Sequence, residues 1–282
     1  MRIAVTGGSG LVGRRIVGRL LQDYDVVNID LNAPSLTPGT IHAHRHLAVD
    51  VMDVELLSGA LSGVSAVVHA AGIPGPSFGT EEQILSTNVG GTRNVALSAA
   101  RAGVHRIVFI SSESVLGFVF GDGRTRPDYF PIDESHRLAP TEAYGRSKLL
   151  AEAELARSMG PDTVALALRP PWVWVPEEYD RYRAMTTRPE DWWDGLWAYV
   201  HGDDLAEATA LSVKAELGPG FKAFYVSAPD NGTVHETRKL VDRYYPGVEL
   251  RNRPAPFASL ISSDGLDSVL GFRPNRTWRE FL

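Results

Sequence analysis

In the segment Tyr144-Gly145-Arg146-Ser147-Lys148 a phenol and an ammonium stand four residues apart. On a helix that spacing puts both on one face. A phenol is a poor base at neutral pH, because its unperturbed pKa is near ~10. A neighbouring ammonium favours the phenolate and draws its pKa toward the working range. The chemistry open to such a pair is general acid or base catalysis. The same spacing also occurs on surface helices that do nothing, so the pair gains meaning only from the elements around it.

The second chemical feature is Thr6-Gly7-Gly8-Ser9-Gly10-Leu11-Val12-Gly13. It lies between a short apolar strand and a helical pattern. Glycine there serves a tight turn, backbone approach to a pyrophosphate, and close packing of helix on strand. A helix N-terminus adds free N–H groups and a positive dipole end. The loop therefore reads as a dinucleotide cradle, with Gly7, Gly10, Leu11, Val12 and Gly13 against the phosphates. No lysine follows the glycines, which argues against a P-loop NTPase. Asp30 ends the second strand, where a carboxylate can accept from both adenosine ribose hydroxyls and would repel a 2′-phosphate. This favours NAD over NADP. Arg14 and Arg15 pull the other way, although a solvated helix face is the preferred reading of both.

These residues need a scaffold. Strand-like and helix-like segments alternate: Arg2–Thr6, then a helix over 11–22, strands at 25–30 and 46–49, and a helix at 54–61. A strand over 66–70 leads to a long helix over 83–102, a strand over 106–111, a helix over 142–159 and the strand Val164–Arg169. Repeated βα units imply an α/β fold, a doubly wound parallel sheet of Rossmann type. Residues 1–170 are read as the dinucleotide-binding domain. Residues 171–282 are read as a small substrate lobe, some of whose elements complete the sheet: a helix over 204–215, a strand over 221–226 and a helix at Thr237–Tyr244.

Bulk properties agree. Of 282 residues, 44% are hydrophobic and 22% charged, ordinary for a soluble globular chain. No apolar run is long enough for a membrane span, and none near the start suits a signal peptide. The absence of cysteine excludes disulfides and thiol catalysis and fits a cytoplasmic protein. A net charge of −6 without a basic run makes nucleic-acid binding unexpected. His42, His44 and His46 would share a strand face that could suit zinc. No acidic or cysteine partner stands beside them, so an exposed sheet edge is the simpler reading and no metal is expected.

The Thr-opened Gly-x-x-Gly-x-x-Gly loop, with Tyr144-x-x-x-Lys148 after the fifth strand, resembles the extended short-chain dehydrogenase/reductase superfamily. Ile110-Ser111-Ser112-Glu113-Ser114-Val115-Leu116-Gly117 is similar to its SSxxVYG segment, with Leu116 in place of the usual Tyr. The resemblance implies Ser112 as the catalytic hydroxyl, with Ser111 and Ser114 as nearby rivals. Asn88 matches the asparagine completing the family's tetrad, or is a buried amide satisfying backbone. Asp50-Val51 is expected at the adenine. Ala70-Ala71-Gly72 is expected along the cofactor, and Arg169-Pro170 matches the family's R-P step. Ser112 would hydrogen-bond the reacting oxygen and Tyr144 would take or return its proton. Lys148 would hold the nicotinamide ribose and tune Tyr144.

Past residue 170 the likeness is weaker but includes Val200-His201-Gly202-Asp203-Asp204 and Leu270-Gly271-Phe272-Arg273-Pro274. Chain length and several segments are similar to uronate dehydrogenases. That likeness implies substrate contacts from Ser77, Ser112, Glu113, Ser114, Trp172 and Arg181, with Arg181 on a sugar carboxylate and Arg183 its competitor. A carboxylate at Glu113 would repel an acidic substrate unless it points away. Trp172, Trp174, Trp192, Trp193 and Trp197 could stack on a sugar ring, or pack the lobe. Three functions remain open: an NAD-dependent dehydrogenase of a sugar-like alcohol or lactol, a nucleotide-sugar epimerase or dehydratase with retained NAD, and a non-catalytic dinucleotide sensor. The family also implies a homodimer.

Overall fold

The computed structural model describes residues 1–34, 43–121, 123 and 125–281. In chain order the first half contains β1 (Arg2–Thr6), α1 (Gly13–Leu20), β2 (Asp25–Ile29), β3 (His44–Leu47), α2 (Val54–Ala60), β4 (Ala66–His69), α3 (Glu81–Leu85), α4 (Gly91–Arg101), β5 (Arg106–Ile110), β6 (Tyr129–Phe130) and α5 (Ala143–Ser158). The second half contains β7 (Val164–Arg169), β8 (Trp172–Trp174), α6 (Tyr179–Thr186), β9 (Tyr199–His201), α7 (Gly202–Lys214), β10 (Gly220–Tyr225), α8 (Thr237–Tyr244), β11 (Glu249–Leu250) and α9 (Asp264–Leu270).

The main sheet has seven strands in the order β10-β7-β5-β4-β1-β2-β3. Every pairing within it is parallel. The order reverses between β1 and β4, the point at which doubly wound sheets open a crevice for a ligand. Alternation along the strands feeds two cores. Ile3, Val5, Val68, Val108 and Leu166 face Ile16, Val17, Leu20 and Leu205 on one side. Ala4, Val67, Phe109 and Ala165 face Leu57, Val95 and Leu155 on the other. A sheet buried on both faces explains its near-continuous apolar strands.

The long helix expected over 83–102 is one rod with a fault in it: α3 and α4 are joined through a π-helical turn, Ser86–Gly90. A π-turn inserts a residue without changing the apolar period enough to be read from the sequence. The first helix begins at Gly13, two residues later than its pattern suggested.

A third core holds Trp174, Trp192, Trp197, Tyr182, Tyr199 and Tyr245 together with Leu116, Phe118, Phe130 and Ile132. The chain enters this core both before and after residue 170. Conversely, β10 completes the sheet edge against β7, and α7 packs on α1. A single boundary at 170 therefore does not separate the cores. Among the described residues no helix is long and apolar enough to cross a membrane. His44 and His46 lie on the edge strand β3, where His46 Nε2 pairs with the Asp30 carbonyl at 3.0 Å, and His42 lies outside the described residues. No group of three potential metal ligands occurs among the described residues.

Candidate active site

The glycine loop turns at the end of β1. Gly7 has φ +72°, and a Cβ there would sit 2.5 Å from the Ala71 nitrogen. At Gly13 a Cβ would meet the Gly7 carbonyl oxygen at 2.0 Å. Both positions thus admit no side chain, and α1 can start directly over the loop. Arg14 N–H donates to Gly10 O at 3.0 Å and Arg15 N–H to Val12 O at 3.1 Å, whereas the N–H groups of Leu11, Val12 and Gly13 have no backbone partner among the described residues and can seat an anion. Asp30 closes the adjacent edge: Oδ2 accepts Ser9 N–H at 3.0 Å and Oδ1 accepts Asn32 N–H at 2.9 Å. This cradle of glycines, amides and one carboxylate fits a dinucleotide. The Asp50 carboxylate accepts Met52 N–H at 2.9 Å, and Val51 is buried beside Gly91. Ala70 and Ala71 remain half-buried against Gly7.

Arg14 and Arg15 are not simply solvated. Arg14 pairs with Glu177 at 3.1 Å, and Arg15 bridges Glu177 at 2.5 Å and Asp203 at 3.1 Å. The correction has a tertiary cause. Residue 177 is far away in sequence, and the return of the chain through β8 brings it over α1.

Tyr144 and Lys148 open α5, whose N-terminus is capped by Glu142 accepting from Tyr144 N–H at 2.6 Å and from Gly145 N–H. The Ser112 hydroxyl faces the Tyr144 phenol and favours its ionisation. Two main-chain bonds carry the β5–β7 pairing past the strand ends, Ser111 N–H to Leu168 O at 2.7 Å and Glu113 N–H to Pro170 O at 2.9 Å. They fix Ser112 in place. The neighbouring serine hydroxyls have different surroundings. Ser111 donates to Glu152 at 2.6 Å, within a buried ion pair of Glu152 with Arg169. The Ser114 hydroxyl is buried with no partner among the described residues.

The electrostatics differ from expectation. Burial pushes Tyr144 up to about 12, reinforced by Glu142 and Glu113 and opposed by Ser112. Lys148 Nζ donates to the Ile110 carbonyl at 2.9 Å and sits 5.8 Å from the Tyr144 ring centroid. Burial brings its pKa down to about 8, with Glu152 opposing. Desolvation thus outweighs the attraction that should draw Tyr144 toward phenolate. Behind Lys148, His69 pairs with Thr6 at 2.7 Å and Thr92 at 3.0 Å, and burial holds it neutral with a pKa of about 3.

Asn88 lies in the π-turn. Its Oδ1 accepts Ile73 N–H at 2.7 Å, and its Nδ2 donates to Ile73 O at 3.1 Å and to Ser147 Oγ at 2.9 Å. The amide therefore ties the exit of β4, next to Gly72, to the helix carrying Tyr144.

The substrate-side residues divide. Glu113 is 7% exposed, and desolvation, with Asp194 nearby, raises its pKa well above the usual carboxylate range. Trp172 is half-buried, edge-on to Tyr182 and Trp192, with the Arg181 guanidinium 4.8 Å over its ring. Arg181 is exposed and also reaches Glu178 at 3.5 Å. Ser77 is exposed in a short 3₁₀ turn. Trp174, Trp192 and Trp197 are core residues, so these three pack the lobe.

Sequence reasoning missed Glu142, Ser147, Phe120 and Asp194. A Glu before the helix and a Ser inside Tyr144–Lys148 were available signals. Phe120, edge-on to Tyr144 at a ring separation of 6.4 Å, and Asp194 had none.

A profile of the NAD dependent epimerase/dehydratase family matches residues 3–189. The chain is 32% identical over 194 residues to a 3 beta-hydroxysteroid dehydrogenase/Delta 5-->4-isomerase of Mycobacterium tuberculosis, covering 65% of this chain and 50% of that protein. It is 35% identical over 161 residues to an L-arabinose 1-dehydrogenase (NAD(P)(+)) of Haloferax volcanii, covering 54% and 59%. The matched part thus spans half or somewhat more of the length of these relatives. Its fold matches that of MoeE5, determined with UDP-glucuronic acid and NAD, at a TM-score of 0.75 and 23% identity, covering 99% of this chain and 96% of that one.

Proposed function

The chain belongs to the NAD dependent epimerase/dehydratase family, and on that premise we propose that it transfers hydride between NAD and a secondary alcohol or lactol of a sugar-like molecule. The observation that carries this reading is the convergence of Ser112, Tyr144 and Lys148 at the ends of β5 and α5. A dinucleotide sensor has no need of that set.

NAD, when bound, supplies the hydride acceptor. In this reading the amides of Leu11, Val12 and Gly13 hold its phosphates, with Gly7 and Gly10 shaping the turn beneath them. Asp30 accepts from the ribose, and Asp50 and Val51 border the adenine. The backbone of Ala70, Ala71, Gly72 and Pro170 lines the rest. Ser112 orients the reacting oxygen by a hydrogen bond. Tyr144 takes the alcohol proton on oxidation and returns it on reduction. Tyr144 is protonated at neutral pH in the free enzyme, so it begins as the acid. Oxidation needs added positive charge in the occupied site to offset burial. Lys148 supplies part of that charge. Asn88 acts as a positioning residue.

The relatives named above support alcohol oxidation on both a steroid and a sugar. The polar groups around Tyr144 favour the sugar-like class. The test is turnover of uronates, neutral sugars, simple secondary alcohols and nucleotide sugars with NAD or NADP, followed by nicotinamide absorbance. NADH from one sugar-like class, abolished in Tyr144→Phe, is expected. Conversion of a nucleotide sugar without net NADH would replace the proposal by epimerisation or dehydration.

A further inference from the structure

We propose that Glu152 is a positioning residue of the reaction, holding the strand end that carries Ser112 in register with the helix that carries Tyr144 and Lys148. This rests on the reading of Ser112, Tyr144 and Lys148 as the reacting set.

Three consecutive residues at the end of β5 are each engaged by α5. The Ile110 carbonyl accepts from Lys148 Nζ at 2.9 Å, Ser111 Oγ donates to Glu152 Oε1 at 2.6 Å, and the Ser112 hydroxyl faces the Tyr144 phenol. Positions 144, 148 and 152 follow one another by a single turn of α5, so they form one buried stripe along the helix. Two members of that stripe belong to the reacting set. Glu152 is the third, and it also reaches β7: Oε1 accepts Arg169 Nε–H at 2.9 Å and Oε2 accepts from Arg169 Nη2 at 2.6 Å. All three bonds are donated to Glu152, so both of its oxygens must be acceptors. Arg169 is the last residue of β7. The carboxylate therefore fastens α5 to the ends of β5 and β7 at once, and a bidentate guanidinium pair fixes direction as well as distance. A displacement of about 1 Å between reacting groups can cost on the order of a hundredfold in rate.

The same carboxylate has a second consequence. Lys148 is faced by the Tyr144 ring on its own helix, by the Phe109 ring of β5 at 4.9 Å and by neutral His69 from β4. Among the described residues Glu152 is the carboxylate that acts on it, opposing its desolvation. Facing Glu152 are Arg169 from β7, whose guanidinium lies 5.4 Å over the Tyr225 ring of β10, and Tyr225 itself; Glu134 acts in turn on Arg169. Arg169 is not among the charges acting on Lys148. Loss of Glu152 thus removes negative charge from behind Lys148, and Lys148 should release its proton at lower pH. An ion pair that only stabilised the fold would leave that titration where it is.

The experiment compares the full chain with two variants. Glu152→Leu combined with Arg169→Met replaces the buried pair by apolar side chains, a change expected to keep the Tm. Glu152→Asp keeps the charge on a side chain one methylene shorter. Lys148 is one of four lysines, so its titration is followed by NMR of protein labelled with 13C-lysine, with Lys148→Met for assignment. The wild type is expected to titrate near pH 8, the double variant about one pH unit lower, and Glu152→Asp with the wild type. Turnover is measured with NAD and the uronates, neutral sugars, secondary alcohols and nucleotide sugars named above. In the double variant kcat should fall at least about tenfold while KM changes less than about threefold, and Glu152→Asp should recover part of kcat. A folded double variant with wild-type kcat or an unmoved Lys148 titration overturns the proposal. So does full kcat in Glu152→Asp, because register would then not depend on the reach of the side chain. If Lys148 shifts as expected while the wild type turns over none of these compounds, the hold of Glu152 on Lys148 stands and the dehydrogenase reading falls.

Discussion

Lys148 donates its ammonium to the carbonyl oxygen of Ile110 at 2.9 Å, across the space between α5 and the end of β5. The bond anchors the catalytic helix to the sheet, but the ammonium remains desolvated. Its pKa falls from 10.5 to about 8. Between these values the unfolded chain binds more protons than the folded one, so this group makes stability rise with pH. From pH 8 to 10 its contribution should be on the order of 2 kcal/mol. Tyr144 acts oppositely, but only above its ordinary value of ~10. Urea unfolding at a series of pH values should show the rise in the wild type and its loss in Lys148→Met. A parallel pH dependence in both proteins would mean that Lys148 is not desolvated as described.

Asn88→Ala removes the hydrogen bonds to Ile73 and Ser147 and leaves the half-buried Ile73 N–H and carbonyl unmatched, while Ser147 keeps its bond to Tyr144 O. The expected loss is about 1–3 kcal/mol, read from the urea midpoint at constant slope. Because the amide positions α5, kcat should fall more than KM rises, and Asn88→Asp should restore part of it by keeping the bond from Ile73 N–H. An Ala variant with native stability and full kcat would remove Asn88 from the positioning role.

Glu152 and Arg169 form a bidentate pair whose side chains are 4% and 6% exposed. Glu152→Gln removes the bidentate carboxylate from the buried Arg169 charge, leaving Glu134 to act on it without a direct ion pair among the described residues. Destabilisation of about 3–5 kcal/mol is expected. Far smaller losses would indicate that water reaches Arg169, which hydrogen exchange at Ser111 would report.

Asp30→Ser removes the carboxylate that would accept from the ribose, while retaining a short side chain for the Ser9 amide. NAD affinity should fall about tenfold, and the preference for NAD over NADP should shrink by more than that, because repulsion of a 2′-phosphate is lost as well. Fluorescence titration with both dinucleotides measures it. Arg14 and Arg15 stay paired with Glu177 in this variant, so no strong NADP site should arise.

What the sequence determined alone was the part of this protein governed by local rules. Apolar strands followed by amphipathic helices specify parallel βα units, and a glycine loop between the first two elements specifies a dinucleotide cradle. Tyr144 and Lys148 needed only helical periodicity to share a face. The tertiary structure decided whatever depends on residues far apart in the chain. It buried Ser111 against Glu152, and it bound Arg14 and Arg15 to Glu177. It carried Leu116, Phe118, Phe130 and Ile132 into the lobe core beside Trp174 and Trp197. It also set the protonation of the site. A helical spacing says that an ammonium is near a phenol, but how much water each has lost is known only once the surrounding sheet, helices and loops are packed, and here desolvation is the larger effect.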